Sequence, residues 1–293
     1  MKFVTFRIAS SDRVGMITPQ GDAVFDLTAM GIASTMVDLV GIVDLPERLA
    51  DATATATAIS LDSVKLLAPI PNPPRNIFCV GKNYFEHAKE FGASGFDSGS
   101  IGGNEAPDFP IIFTKPPSTV IGPGDPIRSD LDPLASTDYE AELAVVIKRS
   151  GRVTDSDDPM SFVFGYTIFN DVTSRELQKR HKQWLLGKGI DTFGPMGPAI
   201  LSADAVGDVR ELQITLTVNG EQRQSASLAD LIFDIPNLIR TIGRSISFQP
   251  GDIIATGTPA GVGIGFTPPR YLKPGDHVRI EVPAIGILEN PVC

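Results

Sequence analysis

The periodic segments of this chain mostly alternate apolar and polar positions two by two, which is the pattern of strands. Near the start it runs over Lys2 to Ile8, Arg13 to Ile17 and Ala23 to Asp26, while helical spacing is confined to Thr35 to Val43 and Pro46 to Ala54. The run Ala52 to Ala58 is low in complexity and reads as a helix end or surface loop. Ala68 to Asn76 carries four prolines and can sustain neither a helix nor a central strand. Strand patterns resume at Ile77 to Val80, Ile111 to Lys115, Thr137 to Ile147 and Val163 to Phe169. Further ones follow at Gln213 to Val218, Ile253 to Thr256, His277 to Val282 and Gly286 to Leu288, with Asn219-Gly220 as a hairpin turn. The pattern predicts an α+β, mostly β protein with a small domain over 1–68, a proline-rich linker over 69–76 and a larger domain over 77–293.

Composition narrows the class. A chain of 293 residues can bury a sizeable core, and 42% hydrophobic with 20% charged residues is ordinary for a soluble globular protein. No apolar run is long enough to span a bilayer, and the alternating start Met1 to Arg7 does not read as a signal peptide, so a cytoplasmic location is expected. Cys79 and Cys293 have neither metal-type spacing nor a disulfide framework and are expected to be reduced. A formal charge of −10 argues against nucleic acid or an anionic membrane as partner. The one basic cluster, Lys179-Arg180-His181-Lys182, reads as a solvated helix face. A small anionic substrate stays compatible, because local cations decide that.

The chemistry starts in the strand pattern Thr137 to Ile147. Glu140 and Glu142 fall on one face, with Ala141, Leu143, Val145 and Ile147 on the other. Two such carboxylates are either a solvated strand face or a site that neutralises itself on a cation. Asp171 ends the apolar run Val163 to Phe169 at a strand-to-helix junction, before the capping-box form Thr173-x-x-Glu176. It is either a helix cap or a third carboxylate of an oxygen-only site suited to Mg²⁺ or Mn²⁺. Upstream, His87 and Glu90 lie three apart in a helical pattern, either a surface pair or a His–Glu dyad able to act as a general base. The glycine-rich Gly92 to Asp108 reads as a lid or a plain surface loop. Arg175 and Gln178 share a helix face, and Lys188 and Asp191 sit in a following loop; a cation and an amide near a metal would hold an anionic oxygen. Trp184 reads as helix packing, and His181 and His277 as structural or exposed. Thr256 to Gly263 is glycine-rich but lacks the Gly-Lys-Ser/Thr ending of a phosphate loop, which argues against nucleotide binding.

Several of these pieces agree in order and spacing with one family. They are Gly81-x-Asn83-Tyr84-x-x-His87-Ala88-x-Glu90, Tyr139-Glu140-x-Glu142-Leu143, and Asn170-Asp171 with Arg175 and Gln178. Lys188 followed by Asp191-Thr192-Phe193-Gly194-Pro195-Met196-Gly197-Pro198, and Thr256-Gly257-Thr258-Pro259-Ala260-Gly261-Val262-Gly263, complete the set. Over about residues 73 to 293 the chain resembles the fumarylacetoacetate hydrolase family, in its bacterial acylpyruvase-like branch, and residues 1–68 look like the variable N-terminal domain of many members.

The resemblance implies a β-roll-like catalytic fold in a homodimer and a Mg²⁺ or Mn²⁺ held by Glu140, Glu142 and Asp171. It implies His87 and Glu90 as the water-activating dyad, Lys188 at an oxyanion site, and Arg175, Gln178 and Thr258 as contacts to substrate oxygens. Cys79 to Asn83 contain no carboxylate to match the further metal-binding aspartate of the animal fumarylacetoacetase, so a three-carboxylate site is expected. The reaction implied is hydrolysis of a C–C bond in an acylpyruvate or related 2,4-dioxo acid, giving a pyruvate-type 2-oxo acid and a carboxylic acid. Oxaloacetate-type decarboxylation and hydroxymuconate-type isomerisation on the same site remain alternatives, as does a non-catalytic small-molecule binding protein.

Overall fold

The computed structural model describes residues 1–94 and 106–293. Ten strands follow one another edge to edge in its largest sheet. Their order is Ile59–Ser60, Ala23–Asp26, Ser11–Ile17, Lys2–Ile8, Gly194–Ser202, Val163–Asn170, Ala141–Ile147, Ile253–Ala255, Ile77–Gly81 and Ile111–Lys115. Neighbours on this path are antiparallel except Ile253–Ala255 with Ile77–Gly81. A second sheet, in the order Glu221–Ser227, Gln213–Val218, His277–Val282, Gly286–Pro291, is built from two hairpins. The first hairpin turns at Asn219-Gly220, both at positive φ (53° and 80°), as its strand twist demands.

Strand Ala141–Ile147 lies at the centre and is buried throughout. Leu143, Val145 and Ile147 pack with Leu216, Val278 and Ile280 of the second sheet. The opposite face was expected to be the acidic one, and it is apolar further along: Ala144 and Val146 pack with Phe3, Met36, Leu39 and Leu49 from the start of the chain. Residues 1–68 therefore do more than append. Lys2–Ile8 pairs with Gly194–Ser202, so their strands continue the large sheet, and their helices cover it.

Most predicted elements form at or near their expected bounds, including the helices Met36–Val40 and Leu45–Thr53. One differs in kind. Thr173 does not cap a helix: it pairs in a two-residue strand with Asp138, and its hydroxyl donates to the Asp171 carbonyl. The helix Arg175–His181 begins after Ser174, and the hydroxyl of Ser136 accepts from the Glu176 amide instead. A tertiary partner thus replaces the local cap.

Gly165 sits where Val163–Asn170 passes Gly194–Ser202, and a Cβ there would collide with the backbone carbonyl of Leu201. Gly165→Ala is expected to destabilise the protein by about 1–3 kcal/mol through overpacking, read as a lower denaturation midpoint with an unchanged slope.

Candidate active site

The register of the two central strands assembles the site. Ala141 faces Asn170, so Glu140, just before one strand, meets Asp171, just after the other. The Asp171 amide donates to the Glu140 carbonyl at 2.9 Å, and Asn170 Oδ1 accepts from the Glu140 amide at 3.0 Å. Glu142 lies on the same face, and one oxygen from each of Glu140, Glu142 and Asp171 lies within 4.8 Å of the others, all three residues being buried. Three carboxylate oxygens gathered this closely are the kind of donor set that would hold one hard divalent ion.

Charge balance supports the same reading. Lys188 Nζ donates to Glu140 Oε2 (2.8 Å) and Asp171 Oδ2 (2.7 Å). Lys115 Nζ donates to the Val172 carbonyl and forms an ion pair with Asp171 Oδ1 at 2.7 Å. Arg175 Nη1 lies 2.6 Å from Glu140 Oε1, and its Nε donates to Asp138 Oδ2 at 2.8 Å. Four buried carboxylates thus face three buried cations, and Glu142 has no ion pair among the described residues. Glu142 Oε2 accepts a hydrogen bond from the Gly257 amide at 2.8 Å. Burial, then Asp171 and Glu140, push the Glu142 carboxyl well above its ordinary value. Burial would raise Glu140 too, but Lys188, Arg175 and His87 together outweigh it and hold this carboxyl low. A divalent ion would turn the deficit of one positive charge into a surplus of one, which an anionic carboxylate balances. The all-carboxylate donor set, one positive charge short, fits such an ion.

The remaining predicted residues converge beside this cluster. Arg175, Gln178, Lys188, His87 and Thr258 line one cavity of about 20 Å³, room for roughly one water. Arg175 Nη1 also reaches Gln178 Oε1 (3.3 Å), and Nη2 is buried with no hydrogen-bond partner among the described residues. His87 Nδ1 is 3.3 Å from Glu90 Oε2, and both Glu90 oxygens accept from the Gly261 amide. Thr258 Oγ1 accepts from Gln224 Nε2 at 2.9 Å, which leaves the hydroxyl proton free to be donated. Lys188 belongs to the short helix Leu185–Lys188 and not to a loop, whereas Asp191 is exposed and outside the cavity. The expected lid falls mostly on 95–105, outside the described residues.

Three residues of this neighbourhood escape a motif-by-motif reading. Asp138 accepts from Arg175 Nε and from the amides of Gly263 (2.6 Å) and Ile264 (3.1 Å), tying the Arg175–His181 helix to the glycine-rich segment. A signal existed, since Asp138, Glu140 and Glu142 continue one period of two. Lys115 carried no signal beyond ending an apolar strand. Trp184, expected as helix packing, also lines the cavity.

The Fumarylacetoacetate (FAA) hydrolase C-terminal family matches residues 76–293. The chain belongs to this family of enzymes. Among its curated relatives is oxaloacetate tautomerase YisK of Bacillus subtilis (strain 168), 48% identical over 233 residues, 80% of this chain and 74% of that one. Human mitochondrial oxaloacetate tautomerase FAHD2A is 36% identical over 301 residues, 100% of this chain and 91% of its own. Maleylpyruvate hydrolase from Sphingobium sp. SYK-6, solved with manganese(II) and pyruvate, superposes with a TM-score of 0.79 at 32% identity, covering 100% of this chain and 98% of that one. The family assignment and the sheet-dominated α+β fold follow, and no helix among the described residues is long and apolar enough to cross a membrane.

Glu142→Gln tests the charge argument. A carboxyl whose folded pKa is raised contributes stability that is full below its unfolded value and is lost as pH rises towards the folded one. The chelator-treated wild type should therefore lose stability relative to Glu142→Gln as pH rises from about 4.5 to 7. The same variant should forfeit at least about tenfold in Mn²⁺ affinity, read as a smaller metal-induced rise in unfolding free energy.

Proposed function

We propose that this chain is a divalent-metal-dependent enzyme of small 2-oxo acids, and that its reaction is keto–enol tautomerisation of oxaloacetate. The observation that carries the reading is the cavity itself. It offers one histidine, braced by Glu90, beside a buried carboxylate triad and four hydrogen-bond donors, Arg175, Gln178, Lys188 and Thr258. Proton transfer asks for no more than this. The tautomerase names of the bacterial and human relatives point the same way.

The chain's residues have separable tasks. The unpartnered Nη2 of Arg175 and the side chain of Gln178 would hold a substrate carboxylate. With Nδ1 turned to Glu90, His87 would use Nε2 to take a proton from the carbon next to the keto group and return it to the oxygen, so that nothing is gained or lost overall. Lys188 spends two ammonium protons on Glu140 and Asp171 and has a third for the oxygen that turns negative. Thr258, held as an acceptor by Gln224, would donate its proton to another substrate oxygen. Mg²⁺ or Mn²⁺ held by Glu140, Glu142 and Asp171 would supply Lewis-acid stabilisation of the developing negative charge.

The His87–Glu90 dyad also favours a second reading, hydrolysis of a 2,4-dioxo acid, because a braced imidazole beside room for one water is equipped to activate that water. Mn²⁺-loaded protein separates the two. Tautomerisation predicts faster decay of the enol absorbance of oxaloacetate without release of pyruvate, and a loss of about 10²–10⁴-fold in His87→Ala. Pyruvate formed from acetylpyruvate would establish hydrolysis instead, and pyruvate formed from oxaloacetate would establish decarboxylation.

A further inference from the structure

We infer that Trp184 is a specificity-determining residue whose indole limits the length of the arm a 2-oxo acid can carry beyond its keto group. The inference rests on the reading of the cavity as a 2-oxo acid site. Trp184 stands between the helices Arg175–His181 and Leu185–Lys188, and its ring shares the cavity wall with Phe91 and Phe113. It meets Phe113 edge-on, with ring centroids 5.2 Å apart at 70°, and lies tilted against Phe91 at 6.4 Å and 57°. Both neighbours are themselves covered by site cations, Lys188 Nζ lying 5.1 Å from the Phe113 ring and Lys82 Nζ 5.2 Å from that of Phe91.

On its other side the indole is held by an absence. A Cβ on Gly81 would come within 2.6 Å of Trp184 Cζ3 and 2.9 Å of Cη2. Gly81 does not adopt the left-handed backbone that would call for glycine, so the missing side chain answers to the indole. The ring is therefore wedged between a glycine and two aromatics, and it cannot retreat by a rotamer change without vacating this packing. Glu140, Arg175 and Lys188 bound the cavity on the polar side; the aromatic wall bounds the space left for the distal arm. Because the cavity holds roughly one water, any 2-oxo acid must part its walls, and a short carboxymethyl arm, as in oxaloacetate, asks less of the indole than a long one. A 2,4-dioxo acid with a long acyl chain would have to displace the indole.

Trp184 also begins the turn that carries Lys188, whose amide donates to the Trp184 carbonyl at 2.9 Å. A purely structural role would therefore weaken every ligand alike. The test is a ladder of stable 2-oxo acid analogues, oxamate and its N-ethyl and N-butyl derivatives, titrated calorimetrically into Mn²⁺-loaded wild type, Trp184→Leu and Trp184→Phe. Wild type should bind oxamate in preference to N-butyl oxamate, and Trp184→Leu should shrink that preference by about tenfold or more, with Trp184→Phe, which keeps the aromatic packing, in between. An unchanged preference, or a uniform loss along the ladder in both variants, would overturn the inference. Binding is read without turnover, so failure to tautomerise oxaloacetate sinks the proposed reaction and leaves this test standing. A wild type that binds no oxamate at all overturns both.

Discussion

The structure depends on the pairing of buried carboxylates with buried cations around Asp171. Removing an ionised carboxylate from water costs several kcal/mol, recovered only when oppositely charged groups and hydrogen bonds surround it. Here Lys188 bridges Glu140 and Asp171, Lys115 approaches Asp171 from the other side, and Arg175 serves Glu140 and Asp138 together. The balance is left one positive charge short, at Glu142. An enzyme that must bind a divalent cation and then an anion has reason to be built with that shortfall, since a fully compensated cluster would gain little from either.

The surrounding fold supplies the rigidity this arrangement needs. Strand Ala141–Ile147 is packed on both faces, by the second sheet and by the N-terminal segment, so the carboxylates sit on a backbone with little freedom. The glycine-rich segment after Ile253–Ala255 is tied in by a backbone bond from the Thr256 amide to the Leu143 carbonyl and by three acidic side chains: Glu142 takes the Gly257 amide, Asp138 takes Gly263 and Ile264, and Glu90 takes Gly261. Three acids of the site thereby hold the loop that presents Thr258. The absent phosphate-loop ending makes sense in this light, because these amides face protein carboxylates.

Much of the site is legible in the sequence. Glu140, Glu142, Asp171, His87, Glu90, Arg175, Gln178, Lys188 and Thr258 were singled out by acids inside an apolar run, by helical spacing and by a family resemblance. All but Glu90 face the cavity or belong to the carboxylate cluster, and Glu90 braces His87. The misreadings share a cause. The Thr173-x-x-Glu176 capping box fitted a local rule, but Ser136, about forty residues away, satisfied the helix end better. Lys115 does end a strand and Trp184 does pack, against Phe91 and Phe113, but their places at the site stay hidden in sequence because their partners there are distant along the chain.

By itself, the sequence determined the residue types and their local phase. Alternation alone puts Glu140 and Glu142 on one side of the chain, and a spacing of three alone puts His87 against Glu90. Tertiary structure decided which of these groups meet. Glu142 reaches Gly257 across 115 residues, and Lys188 reaches Glu140 across 48, only because the order of strands in the large sheet brings Ala141–Ile147 between Val163–Asn170 and Ile253–Ala255. A hydrogen-bonded ladder fixes such neighbours through contacts that no local window contains, and charge balance, cavity size and the wall at Trp184 are properties of those contacts.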